Sequence, residues 1–130
     1  MYSNAPIYEG TTPLVSDRYI ISLTAGVALS MGQVVEIQTD WTVHLPSAAN
    51  SLKVVGICLT NQATIGRKVS IVCRGVCRAT SGGAINAGDQ VTNDANGNVI
   101  TDNTSKNSSI RGIALTTVSA TGQIVYLLLW

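Results

Sequence analysis

The residue types that could do covalent chemistry lie closest together around His44, the one histidine, with Asp40 four residues before it and Ser47 three residues after. A hydroxyl, an imidazole and a carboxylate are the parts of an acyl-transfer site. Ser and Asp are abundant in this chain, however, and no Gly-x-Ser-x-Gly elbow presents a nucleophile. His44 sits in the alternating run Trp41–Leu45 on the parity of Thr42, which reads as a surface or interface imidazole. The carboxylates Glu9, Asp17, Glu36, Asp40, Asp89, Asp94 and Asp102 are scattered, with no pair spaced as an acid–base dyad. Catalysis is therefore not expected, nor is a small-molecule substrate or cofactor.

Metal and redox chemistry fare no better. Cys73 and Cys77 are four apart, unlike the close spacing of a redox pair or a zinc knuckle. On one strand they would face the same way about 13 Å apart, too far for a mutual disulfide. Together with Cys58 they read as buried free thiols, a pattern that suits a reducing compartment. Thr92 to Asn98 is rich in oxygen but holds a single carboxylate, so it reads as a turn whose Asx side chains cap their own backbone. No glycine-rich phosphate loop is present.

The composition narrows the remaining classes. Hydrophobic residues make up 45% of the 130, charged residues only 12%, and the net charge is +1. Such a chain is too apolar for disorder and too neutral to attract nucleic acid or a lipid surface. Its surface must be built largely from Ser, Thr, Asn, Gln and Gly, which cost little to desolvate on contact with another protein. The basic residues Arg67, Lys68, Arg74 and Arg78 are the densest cluster. With Lys68, Arg74 and Arg78 on one strand parity, they read as solvated residues or as salt-bridge partners across a subunit boundary. Met1 to Glu9 has neither the basic nor the apolar stretch of a secretory signal, and the sequons at Asn103 and Asn107 carry little weight without one. The apolar run Ile124–Trp130 is far too short for a membrane helix and reads as a last strand.

The elements that would position these residues are short strands. Candidate strands cover Tyr19–Leu23, Gln33–Gln38, Trp41–Leu45, Leu52–Leu59, Arg67–Ala79, Ala84–Val91, Val99–Ile100, Ile110–Val118 and Gln123–Trp130, separated by turn residues. Gly75, inside the longest, predicts a bulge or a close approach. No stretch shows a helical apolar period, so the expectation is an all-β fold, a compact barrel or sandwich. An internal pseudo-repeat runs through it: Gly32 to Gly56 and Gly88 to Gly112 are each 24 residues apart, within similar surroundings. That predicts two β modules around one core, with Gly56 and Gly112 where another segment crosses closely. Residues 1–21 are expected to form an extended N-terminal arm and the entry to the first strand, and 22–130 the β domain. Pro6 and Pro13 favour a stretched arm. Tyr2, Ile7, Tyr8, Leu14 and Tyr19 are its candidate anchors, against a neighbour or back along its own domain.

Gly26-Val27-Ala28-Leu29 with Met31-Gly32-Gln33-Val34-Val35, then Val55-Gly56-Ile57-Cys58 and Val69-Ser70-Ile71-Val72-Cys73-Arg74-Gly75-Val76, resemble a family of small phage proteins encoded with head genes, the capsid decoration or cement proteins. The resemblance continues through Ala87-Gly88-Asp89-Gln90-Val91 and Ile110-Arg111-Gly112-Ile113-Ala114-Leu115 to Gln123–Leu127. It implies a structural virion protein on the outer capsid surface, made in the host cytoplasm. Its partners would be the major capsid protein and further copies of itself as a homotrimer. The arm anchors, with Arg74 and Arg78, would be its contact residues. The alternative is an adhesive module recognising a receptor or a glycan through Trp41 or Tyr126.

Overall fold

Residues 18–102 and 110–130 are described by the computed structural model; Tyr2, Ile7, Tyr8, Leu14 and both sequons lie outside the described residues. The chain is all-β there, with no helix among the described residues. Its strands are β1 (Tyr19–Ala25), β2 (Val34–Thr39), β3 (Thr42–His44), β4 (Val54–Cys58), β5 (Lys68–Thr80), β6 (Val91–Asn93), β7 (Val99–Thr101), β8 (Gly112–Ala114) and β9 (Ile124–Leu129). Residues 21 and 22, the expected border between arm and domain, both fall inside β1. The stretch Ala84–Val91 is turn rather than strand up to Gln90, holding isolated bridges from Ile85 to Val118 and from Gln90 to Ile113, and Val91 begins β6.

The strand order β1-β3-β2-β4-β5 closes on itself because β5 also pairs with β1, making a five-stranded barrel. A barrel has no open edge to protect. The first half of β5 belongs to this barrel, from Thr24↔Lys68 to Tyr19↔Arg74. Its second half changes partner and pairs with β9, from Gly75↔Leu129 to Thr80↔Ile124. The switch occurs at Gly75, whose φ of 95° is a backbone state that side-chain-bearing residues rarely adopt. Beyond it, β9 pairs with β8, Gln90 bridges to Ile113, β6 pairs with β7, and Ser81 bridges to Val99. A second, looser ring therefore follows the first, and the two share β5.

The two rings are copies at an offset of 56 residues, as from Gly32 to Gly88 and Gly56 to Gly112. The Gly32 N–H donates to the Cys58 carbonyl at 2.9 Å, and Gly88 donates to Ala114 at 2.7 Å. Leu29 and Gln62 exchange two backbone bonds, as do Ile85 and Val118. Leu59 donates to Ser70 as Leu115 does to Tyr126, and Gly26 to Val43 as Gly82 does to Val99. In this arrangement β1 corresponds to the second half of β5, and the first half of β5 corresponds to β9.

The copies do not share one core, as the repeat alone suggested, but fill two. Leu23, Val35, Val43, Cys58, Val69 and Ile71 pack inside the first barrel. Their counterparts Ala79, Val91, Val99, Ala114, Val125 and Leu127 pack inside the second. Each fully buried aliphatic side chain stabilises the fold by roughly 1.5–3 kcal/mol. Val34, Ile57 and Val72, on the opposite face of β2, β4 and β5, join the second cluster and so cement one ring to the other.

Backbone bonds cross the same seam. In the first ring Thr24 N–H donates to the Trp41 carbonyl at 2.8 Å. In the second the counterparts Thr80 and Gly97 are separated by the start of β2: Thr80 N–H donates to Gly32 at 3.1 Å, and Val34 N–H to Gly97 at 2.7 Å. A polar network continues the joint. Buried Glu36 accepts from Ser51 Oγ at 2.6 Å and Gln38 Nε2 at 2.8 Å. Ser51 N–H donates to Oδ1 of buried Asn93, whose Nδ2 donates to the Ala48 carbonyl. Burial, the largest single influence on Glu36, pushes its pKa up, but bonds from Ser51, Gln38 and Ser47 outweigh it and hold the carboxyl below its ordinary value.

Two predictions follow from this packing. A Cβ on Gly56 would lie 2.3 Å from the Val72 carbonyl oxygen, whereas one on Gly112 would first meet the Leu129 Cδ2 at 2.9 Å. Backbone cannot yield as a side-chain end can, so Gly56→Ala should lower the thermal midpoint by several degrees more than Gly112→Ala. Because the folded pKa of Glu36 is lowered, its contribution is complete above the ordinary carboxylate value and is lost as pH falls through the folded one. Denaturant titrations from pH 6 to pH 3 should thus show a shallower loss of stability for Glu36→Gln. Glu36→Ala should cost about 1–3 kcal/mol at neutral pH by stranding its buried partners.

Candidate interaction surface

The acyl-transfer grouping of His44, Asp40 and Ser47 is not assembled as the sequence order offered it, for Ser47 bonds to Glu36 instead. His44 pairs across β2–β3 with Glu36, but its ring lies over Gly26, and its buried Nδ1 has no hydrogen-bond partner. Thr42 Oγ1 donates to the backbone carbonyl of Asp40, so that turn serves its own backbone. No group of three or more His, Cys, Asp or Glu among the described residues could hold a metal ion. Asp94 Oδ1 instead accepts the N–H groups of Asn96 and Asn98 at 2.8 and 2.9 Å, the self-capping turn expected there.

The cysteines are free. Burial raises the pKa of all three, to about 12 for Cys58 and Cys77, so these two are protonated and unreactive at neutral pH. Cys73 and Cys77 do not line one face of a regular strand. The register shift opposite Tyr19/Ile20 and the turn of Gly75 send Cys73 to the first cluster and Cys77 to the second.

Two crevices indent the surface, with cavity volumes of about 40 and 50 Å³, room for little more than water. Both run along Ile110, Arg111 and Trp130; neither includes Trp41 or Tyr126. Trp41 is 74% exposed in the β2–β3 turn, while Tyr126 lies on β9 of the other ring.

What stands out is a flat face. Ile124, Tyr126 and Leu128 of β9, and Trp130 just beyond it, have 49, 43, 40 and 49% of their surface exposed, alternating with buried Val125, Leu127 and Leu129. Opposite them on β5 are Thr80, Arg78 and Val76, and Ile113 of β8 lies beside Leu128. Exposed Leu115 and Arg111 border it. A contiguous exposed apolar sheet face that also carries arginine is a common signature of a protein contact surface.

The structure distributes the expected contact residues as follows. Arg78 is exposed and paired with Tyr126 at the centre of this face. Arg74 is exposed on the other side of Gly75, paired with Tyr19, which is itself 65% exposed at the start of β1. Of this strip the sequence offered only Tyr126, for the adhesive alternative; Ile124, Leu128 and Trp130 were missed as site residues, since the terminal apolar run read simply as a last strand.

Comparison with known proteins completes the picture. A family model described as phage cement protein matches residues 15–129. No curated protein matches. Among solved structures, the head fibre gp8.5 N base of bacteriophage phi29 superimposes with a TM-score of 0.66 over 87% of this chain and 94% of that one. Identity is 15%, so the likeness is one of fold. With all but the ends of its length matched by the family, this all-β chain belongs to the phage cement proteins, structural components of the phage head.

Proposed function

We propose that the protein binds the outside of an assembled phage-type capsid as a homotrimer and bridges adjacent major capsid subunits. The observation that carries this reading is the family match over residues 15–129. The molecule's chemistry supports it: few charges to desolvate, two crevices with room for little more than water, and an exposed apolar face with Arg78 at its centre and Arg111 at its border. Tyr2, Ile7, Tyr8, Leu14 and Tyr19 anchor the N-terminal segment on a neighbouring subunit, and Arg74 and Arg78 make salt bridges to it. Many copies, each weakly held, add by multivalency, and selective binding to the expanded shell stabilises that state by mass action against internal genome pressure.

The likeness to a head-fibre base favours a second reading, an adhesive module that contacts a receptor or glycan. Purified capsids lacking the protein separate the two. Full-length protein added back should decorate them in an ordered array visible by electron microscopy and raise their thermal disruption temperature. A chain beginning at Arg18 should bind at least tenfold more weakly, and Arg74→Ala/Arg78→Ala a few-fold more weakly. Equal occupancy without residues 1–17 would remove the arm from the mechanism. Absence from the shell, with binding of the isolated protein to host cells, would establish the adhesive role.

A further inference from the structure

The internal duplication supplies a control for the apolar face. Ile124, Tyr126 and Leu128 on β9 and Trp130 just after it correspond to Lys68, Ser70, Val72 and Arg74 on the first half of β5. At the same backbone positions the first ring carries two exposed charges, a half-buried serine and one valine that the second ring covers. The fold therefore does not require apolar side chains there. The second ring exposes what the first keeps polar or buries, which indicates that something covers it.

A second copy pairing face to face about a twofold axis would set Arg78 against a like charge, and the acid that borders the face, Asp102, shares a crevice with Arg111 and Trp130 and not with Arg78. The occupant should be apolar, acidic and able to reach. Residues 1–17 meet all three conditions: they hold Tyr2, Ile7, Tyr8, Leu14 and Val15, with Glu9 and Asp17 and no lysine or arginine. The described chain begins at Arg18, and Tyr19 pairs with Arg74, next to the Gly75↔Leu129 pair. The segment thus starts at the Trp130 end of the strip. Six residues of β9 span about 20 Å, whereas seventeen extended residues reach about 56 Å.

We propose that, in the free protein, residues 1–17 lie across the β9 face of their own chain, with apolar side chains on Tyr126, Leu128 and Trp130 and a carboxylate at Arg78. The proposal concerns the protein before it meets a particle and holds or fails independently of capsid binding.

The test copies the first ring's own residues onto the second, as Ile124→Lys/Tyr126→Ser/Trp130→Arg, in the full-length chain. Chymotrypsin should cut after Tyr2 and Tyr8 at least tenfold faster in this variant than in the native protein. Independently, removing residues 1–17 in a Trp41→Phe background should at least double acrylamide quenching of Trp130; this measurement decides the matter if the triple variant fails to fold. Equal cleavage rates in a folded variant, or unchanged quenching, overturn the proposal. Should the variant instead lose self-association in sedimentation with cleavage unchanged, the face belongs to a second copy and the proposal is wrong.

Discussion

The hydrogen-bond ladder of β5 is the interaction on which the rest of the structure depends. One strand of 13 residues closes the first barrel with its first half and opens the second ring with its other half. There is no linker between the units; the covalent junction is itself strand. Gly75 permits the change of partner, and the register shift opposite Tyr19/Ile20 accompanies it. Everything beyond follows: two small cores instead of one, and a seam sealed by Val34, Ile57 and Val72. The Glu36–Ser51–Asn93 bonds tie the same seam together. Each ring alone would be small for an independent fold, since little surface is buried in a few dozen residues.

Much of this was legible. Alternation marked eight of the nine strands to within a few residues, and β5 was foreseen as Arg67–Ala79 with Gly75 as its irregular point. The equal Gly32–Gly56 and Gly88–Gly112 spacings exposed the duplication. What periodicity could not supply was the partition of partners. A strand pairing with one neighbour for its first half and another for its second has the same alternation as a strand with one neighbour throughout. For that reason Cys73 and Cys77 read as one face although they fill different cores, and one core was expected where there are two. The short β6 was hidden for another cause. Its residues Val91, Thr92 and Asn93 are all buried, so no alternation betrays them.

The site was less legible than the fold. Arg78 was found by its charge, but its apolar neighbours on β9 were read only as a last strand, because a sequence cannot say which of two alternating apolar sets faces inward when both are apolar. Only the comparison between copies resolves them, by showing that the fold accepts Lys68 where Ile124 stands and Ser70 where Tyr126 stands. The two copies differ on this one face: in the first ring it is charged, polar or packed on the second ring, and in the second it is apolar and exposed.

The shared strand also has a mechanical meaning. Tandem domains joined by a flexible tether extend before they resist, and each can unravel alone. Here a pull applied between the two rings is carried along β5, where the ladders to β1 and β9 are loaded in shear and many backbone bonds must yield together. The body is thus inextensible over small displacements, behaving as a rivet and not as a spring.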